Sequence, residues 1–171
     1  MTASSESPPR PNRFQSWIQR LAMMDWLTRL AAAPVQAIDH RLLRWSGDRI
    51  SLTSPLSGIP VARVTTTGAH SGRPRTHPLT ALRDDGRYVL VGSNFGRKRS
   101  PAWVHNLRAH PLARVHSPEG AARFAARPAT AEEYARLWNR AVDLYPGYDA
   151  YARRAAPRAI PIFILTRIRD G

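Results

Sequence analysis

The sequence predicts a mainly β, α+β domain: a small antiparallel barrel of about six strands with helices attached. Three observations carry this. From residue 59 the hydrophobic period changes from helical to two, the alternation of a half-buried strand. The strand-like runs are joined mainly by hairpin signals. No strand–helix–strand alternation appears, so a doubly wound parallel sheet is not expected. At 171 residues the chain fits one structural domain, read as a tail and helices over 1–58 and a barrel over 59–171.

Taken in order, residues 1–11 read as a frayed tail with no secretory leader, given acidic Glu6 and several prolines. Phe14, Trp17, Ile18, Leu21 and Met24 recur at helical spacing after a cap at Asn12, predicting an amphipathic helix over 13–31. Its two readings are docking on the core or lying on a membrane surface. Asp25 and Arg29 interrupt its apolar run, so it does not span a bilayer. A second short helix starts at Pro34, and a Ser/Pro-rich loop fills 51–58.

Ile59–Thr67 then reads as a strand rich in β-branched residues, Gly68–Arg73 as a turn, and Arg75–Leu82 as the return strand. Asp84-Asp85-Gly86 is a hairpin signal leading into a strand at Tyr88–Ser93. Ser100-Pro101 suits the cap and first residue of a helix reaching Ala109. Leu112–His116 and Ala121–Pro128 flank a second hairpin at Ser117–Gly120. Thr130 with Glu133 forms a capping box for a helix burying Tyr134, Leu137, Trp138 and Ala141, and Ile160–Ile168 is a last, apolar strand.

Charge narrows the function. Twenty-six basic residues face twelve acidic ones, a net +14, and Lys98 is the sole lysine. Segment 69–115 holds nine basic and two acidic residues, half of the excess in 47 positions. An anionic partner is expected. No helix or sheet motif for reading nucleic acid is present, so only weak, salt-sensitive binding of that kind is expected. The absence of cysteine removes disulfides, thiolate metal sites and thiol nucleophiles, and fits a cytoplasmic protein. The six histidines lack helical pairing, so no metal site is expected. Ser71 stands one position too late for a nucleophile elbow, and Gly92…Gly96-Arg97-Lys98 lacks the spacing of a phosphate loop. The few carboxylates form no acid/base pair.

Three segments remain. In Thr65–Arg75 a strand ends at Gly68, and Ser71-Gly72 can turn backbone N–H groups toward one point beside Arg73 and Arg75. A solvated polar turn explains the same residues equally well. In Val91–Leu107 a strand, a glycine-bearing loop and a cationic run lead into a helix, with Trp103 and Asn106 available to pack on or bond a flat ligand. Trp103 and Leu107 also suit the buried face of that helix. In Tyr145–Tyr151 three tyrosines recur at intervals of three, either as a pocket wall with hydroxyl donors or as a packed helix end.

Taken together, Thr65–Gly68 with Ser71-Gly72-x-Pro74-Arg75, Ser93-Asn94 with Pro101-Ala102-Trp103-x-His105-Asn106-Leu107, and Tyr145-Pro146-Gly147-Tyr148-x-x-Tyr151 resemble the deazaflavin-dependent nitroreductase family. The resemblance runs from about Ile59 to Leu165. It implies a Greek-key-like split β-barrel that binds coenzyme F420, an 8-hydroxy-5-deazaflavin, and passes a hydride to an electron-poor quinone, enone or nitro compound. FMN or haem in the same fold is the nearest chemical rival.

By motif position the resemblance sets His70, Ser71, Gly72, Arg73 and Arg75 against the cofactor's phosphate and acidic tail. Ser93, Asn94 and Phe95 would run under the ring, and Trp103 and Asn106 would close the site. Tyr145, Tyr148 and Tyr151 would face the acceptor, with Tyr148 or Ser93 giving the proton. A monomer or homodimer is expected, with peripheral contact at the inner face of the membrane through 13–31. Ala69-His70 replace a basic pair usual in the family, Phe95 a small residue and Val104 an aromatic one. Thr80 stands where a pocket tyrosine can occur. Acceptor choice is expected to differ accordingly.

Overall fold

A computed structural model describes residues 60–117 and 120–168. The helices expected over 13–31 and from Pro34, and the loop over 51–58, lie outside the described residues. Six strands close into an antiparallel barrel: β1 (Val61–Thr67), β2 (Pro74–Asp84), β3 (Arg87–Val91), β4 (Leu112–Ser117), β5 (Gly120–Pro128) and β6 (Ile162–Arg167). Their order around the barrel is β1-β2-β3-β6-β5-β4, with β1 pairing β4 to close it. Two three-stranded meanders are thus joined edge to edge, and no open edge remains among the described strands. The chain crosses from one meander to the other between β3 and β4, through α1 (Ala102–Ala109). The helices α2 (Ala131–Leu144) and α3 (Gly147–Ala155) come between β5 and β6.

The turns form where the sequence supplies the backbone they need. Asp84 pairs with Arg87, leaving Asp85 (φ 49°) and Gly86 (φ 72°) as the two central residues of a hairpin. Left-handed backbone at both positions matches the twist of the flanking strands, which is why Asp-Gly works here. The capping box forms as expected: the Glu133 N–H donates to Thr130 Oγ1 at 3.3 Å, and the Thr130 N–H donates to the Glu133 carboxylate at 2.9 Å. Some boundaries differ from the sequence reading. β2 runs further in both directions, and β3 stops at Val91, so Ser93 belongs to the following loop. Pro101, not Ser100, is the cap of α1, and the cap makes no side-chain hydrogen bond.

Two cores result. Inward-facing Val64, Ala81, Leu90, Val115, Phe124, Phe163 and Leu165 fill the barrel, and Trp103, Val104 and Leu107 of α1 plug its end. Burial of each such side chain contributes about 1.5–3 kcal/mol. The second core lies outside the barrel. Leu82, Val89, Val91, Ile162 and Ile164 on the outer face of β2, β3 and β6 pack on Leu137, Ala141 and Leu144 of α2 and on the tyrosines of α3. This explains the near-continuous apolar run of β6, which is buried on both faces.

Candidate active site

The end of the barrel plugged by α1 carries all three segments singled out from the sequence. The turn between β1 and β2 is closed by its own backbone: Gly68 N–H donates to Arg73 C=O and Gly72 N–H to Gly68 C=O, both at 2.9 Å. A Cβ at Gly68 would sit 2.6 Å from Ser71 Oγ, and Gly72 has φ +62°, so both positions favour glycine for steric reasons.

Asn106 braces this turn from inside. Its amide nitrogen donates to Thr66 Oγ1 at 2.9 Å, and its carbonyl oxygen accepts from the Ala69 N–H at 3.0 Å. Both Asn106 and Thr66 are buried. The helix that plugs the barrel therefore also fixes the turn, and satisfying both partners makes the brace worthwhile. His70, Ser71, Gly72, Arg73 and Arg75 project from the braced turn and are exposed. Arg73 and Arg75 make no ion pair among the described residues. No described residue thus competes for the side chains suited to an anionic group.

Trp103 points the other way. It is 5% exposed and meets Phe163 edge-to-face inside the barrel at 5.9 Å. Its large apolar body seals the barrel from within, the role that its spacing with Leu107 also allowed.

The loop after β3 has an unusual backbone. Asn94 (φ 49°), Phe95 (φ 55°) and Gly96 (φ 75°) are three successive left-handed residues. For Phe95 this conformation is costly, on the order of 1–3 kcal/mol, and for Asn94, whose short amide tolerates it, less so; surrounding contacts must hold the bend. Gly92 lies so close to Pro161 and Val104 that a Cβ would sit 2.8 Å from Pro161 Cγ. Gly96 is pressed against α3, where a Cβ would sit 3.0 Å from the Tyr151 carbonyl oxygen. The Asn94 amide donates to Arg99 C=O at 2.9 Å.

Arg158 was not singled out by any sequence motif, yet it holds this loop most firmly. Its guanidinium donates to Ser93 C=O at 2.9 Å, to Gly92 C=O at 3.2 Å and twice to Arg97 C=O at 2.9 and 3.1 Å. The only advance signal is an arginine directly before the apolar β6 run. Lys98 also bridges back, donating to the Ala156 carbonyl beyond α3.

The tyrosines form a closed cluster against this loop. Tyr145, Tyr148 and Tyr151 are all buried, with ring centroids 5.5–6.1 Å apart in edge-on or tilted contact. Tyr145 and Tyr151 share a hydroxyl hydrogen bond at 3.1 Å, and the Tyr148 hydroxyl bonds Thr80. A Cβ at Gly147 would collide with the Tyr145 ring, which accounts for glycine at that position. Burial pushes all three phenols above their ordinary range. They stay protonated at neutral pH and can donate a hydrogen bond; the same shift makes them weaker acids than a free phenol, so they give up a proton only to a more basic group, and they do not act as bases. Phe95 reaches the cluster edge-on to Tyr151 at 6.0 Å, joining the loop to the tyrosine wall.

Among the described residues, a strained loop, a braced turn whose guanidiniums make no ion pair and a wall of protonated phenols, without an acid/base pair, suit a bound redox cofactor with an anionic tail. Comparison with known proteins decides the matter: the model of the F420H(2)-dependent quinone reductase family matches residues 39–167. The chain belongs to that family. It is accordingly an F420H2-dependent reductase of split-barrel fold, with coenzyme F420 as cofactor. The F420H(2)-dependent quinone reductase Rv1261c of Mycobacterium tuberculosis is 35% identical over 147 residues, covering 83% of this chain and 96% of the relative. Among solved structures, the F420-H2 dependent reductase FDR-A is 35% identical with a TM-score of 0.57, over 63% of this chain and 94% of that one. A chain solved as a domain-swapped dimer is 30% identical with a TM-score of 0.59, over 78% and 99%. Among the described residues no group of histidines and carboxylates is placed to hold a metal.

Proposed function

We propose that this reductase uses reduced coenzyme F420 to reduce a quinone or a similarly electron-poor enone or nitro compound. The observation that carries the reading is the braced β1–β2 turn. Its guanidiniums at Arg73 and Arg75 are exposed and unpaired among the described residues, and the N–H groups of His70 and Ser71 find no partner there either. A phosphate or carboxylate arriving at this turn meets pre-oriented donors and two guanidinium forks. When bound, the reduced deazaflavin supplies a hydride equivalent. The chain supplies position, charge and proton delivery.

In this reading Ser93, Asn94 and Phe95 support the ring. Asn106 acts on the site through the turn, and Trp103 by sealing the barrel beneath it. Tyr148 holds a proton at its hydroxyl against Thr80, ready for an acceptor that has gained negative charge, and Ser93 is the alternative donor. Tyr145 and Tyr151 restrain the Tyr148 ring and keep water from its hydroxyl. The acceptor pocket differs from one with tyrosine at position 80, because Thr80 offers a short hydroxyl and leaves more room. Contact with a membrane through residues 13–31 fits a lipid quinone as acceptor, and liposome co-sedimentation with and without residues 1–31 tests it.

The central test is a fluorescence titration of the full chain with F420, FMN and FAD, then an acceptor screen with the reduced form of whichever binds. Tight binding of F420 and turnover of a quinone are expected. Preference for FMN or FAD, or no reduction of any quinone by F420H2, would overturn the assignment.

A further inference from the structure

We infer that Arg158 is the positioning residue for the ring-supporting loop, setting the direction in which its backbone presents hydrogen-bond donors. This rests on the reading above, in which Ser93–Phe95 support the ring, and it extends to a residue outside every motif that led there.

The physical problem is the backbone of the loop. Phe95 in left-handed conformation, following a left-handed Asn94, needs outside support to persist. Within the loop itself the backbone bonds are few: Gly96 N–H donates to Ser93 C=O and Arg97 N–H to Asn94 C=O, both at 3.0 Å. Beyond the Asn94 amide and Lys98 bonds, a single half-buried guanidinium supplies four more, reaching the carbonyls of Gly92 and Ser93 on one side of the strained residues and of Arg97 on the other. It spans the bend as a staple. The planar fork spreads its N–H groups over carbonyls on both sides of the bend, a span that the compact ammonium of a lysine, with its three donors on one nitrogen, does not match. Desolvation lowers the affinity of the Arg158 guanidinium for its proton, yet an arginine remains charged at any physiological pH.

The direction matters as much as the rigidity. In a trans peptide the C=O and the following N–H point opposite ways. Drawing the Ser93 C=O toward Arg158 turns the Asn94 N–H to the opposite side, where it has no hydrogen-bond partner among the described residues. If that peptide flipped, a carbonyl would stand where the donor now is. Arg158 therefore selects a donor over an acceptor at this point of the loop. It also couples the loop to the tyrosine wall, because Arg158 lies three residues past the end of α3 and Gly96 packs on Tyr151.

The test compares full-length wild type with Arg158→Ala and Arg158→Lys. Two readouts are used, one of which needs no cofactor. The loop ends in Arg97, Lys98 and Arg99, which are exposed sites for trypsin. Limited trypsin digestion followed by mass spectrometry should show Arg158→Ala nicked at these three positions at least tenfold faster than wild type. Other sites should be cleaved at unchanged rates. In fluorescence titration, Arg158→Ala should bind F420 about tenfold more weakly, with Arg158→Lys recovering less than half of the loss. Millimolar guanidinium added to Arg158→Ala should restore affinity, which a merely structural loss would not do.

Nicking at 97–99 unchanged in Arg158→Ala, or F420 affinity within twofold of wild type, would overturn the inference. So would a loss of affinity that Arg158→Lys fully repairs or that guanidinium leaves unmoved. If Arg158→Ala does not fold, Arg158→Lys is read alone: accelerated nicking with weaker binding supports the staple, and wild-type behaviour in both overturns it. Should wild type itself fail to bind F420 while Arg158→Ala is still nicked faster, the cofactor reading fails and the loop staple stands.

Discussion

Two groups of arginines sit at opposite ends of the barrel and do different things. At the β2–β3 hairpin, Asp84 is buried and gathers three guanidiniums. Arg136 binds it with two bonds at 2.8 and 2.9 Å, Arg140 at 2.6 Å and Arg87 at 3.4 Å. These cations are committed to holding the hairpin against α2. At the β1–β2 turn, Arg73 and Arg75 have no such partner among the described residues and stand in solvent on a braced backbone. A charge count treats both groups alike. What separates them is a single buried carboxylate, and the availability of a cation, more than its presence, makes a binding surface.

The largest effect that sharpens this contrast is expected at Asp84. Replacing it with asparagine leaves three guanidiniums crowded around a neutral amide with half the acceptors. Asp84→Asn should cost about 2–3 kcal/mol, less than a fully buried pair because the arginines are partly exposed. By thermal melting that is roughly 5–10 °C for a chain of this size. F420 affinity, measured on the folded protein, should not change. The pH dependence has a definite sign. The bond from Arg136 chiefly holds the Asp84 carboxyl below its usual range, with burial working against it. A group with a depressed folded value stabilises above its unfolded value and loses that contribution as pH falls through the folded one. The melting difference between wild type and Asp84→Asn should therefore be constant from pH 5 to 8 and shrink below about pH 4. A difference that instead widened in acid would break the account.

The complementary substitution, Arg73→Ala with Arg75→Ala, should do the reverse. Nothing among the described residues is lost with these side chains, so the melting temperature should stay within about a degree. F420 affinity should fall about tenfold at low ionic strength, and the deficit should narrow as salt screens the wild-type contact. If the double variant melts like wild type and binds F420 equally well, the turn is only a turn.

Much of this contrast was hidden in the sequence. The strands, the Asp-Gly hairpin and the capping box were legible because each depends on a local pattern: a period of two, left-handed backbone at Asp85 and Gly86, Thr130 three residues before Glu133. The turn with Arg73 and Arg75 was legible by motif. Asp84, however, reads as part of a hairpin signal, and its partners Arg136 and Arg140 lie 52 and 56 positions away on α2. Arg158 is 65 positions from the Ser93 carbonyl it holds. Asn106 was legible as a candidate but its task was not, since bonding Thr66 and Ala69 depends on α1 folding back into the barrel end. Side chains that act across the barrel leave no spacing to read.

The smallest effect separates burial that stabilises from burial that tunes chemistry. Tyr148 is as buried as Asp84, at 3% exposure each, yet it is neutral and its hydroxyl rests on Thr80. Tyr148→Phe keeps the ring, its edge contacts with Tyr145 and Tyr151, and nearly all the packing. The cost is one neutral hydrogen bond, about 1 kcal/mol or less in stability. F420 affinity should be unchanged, because no cation or backbone donor is touched. Turnover of a quinone by F420H2 should fall several-fold under single-turnover conditions, and a solvent deuterium isotope effect present in wild type should diminish. An unchanged rate and isotope effect would remove Tyr148 as the proton donor and leave it with the packing role that its burial alone explains. Ser93, on the loop that Arg158 holds, would then be the hydroxyl to substitute next.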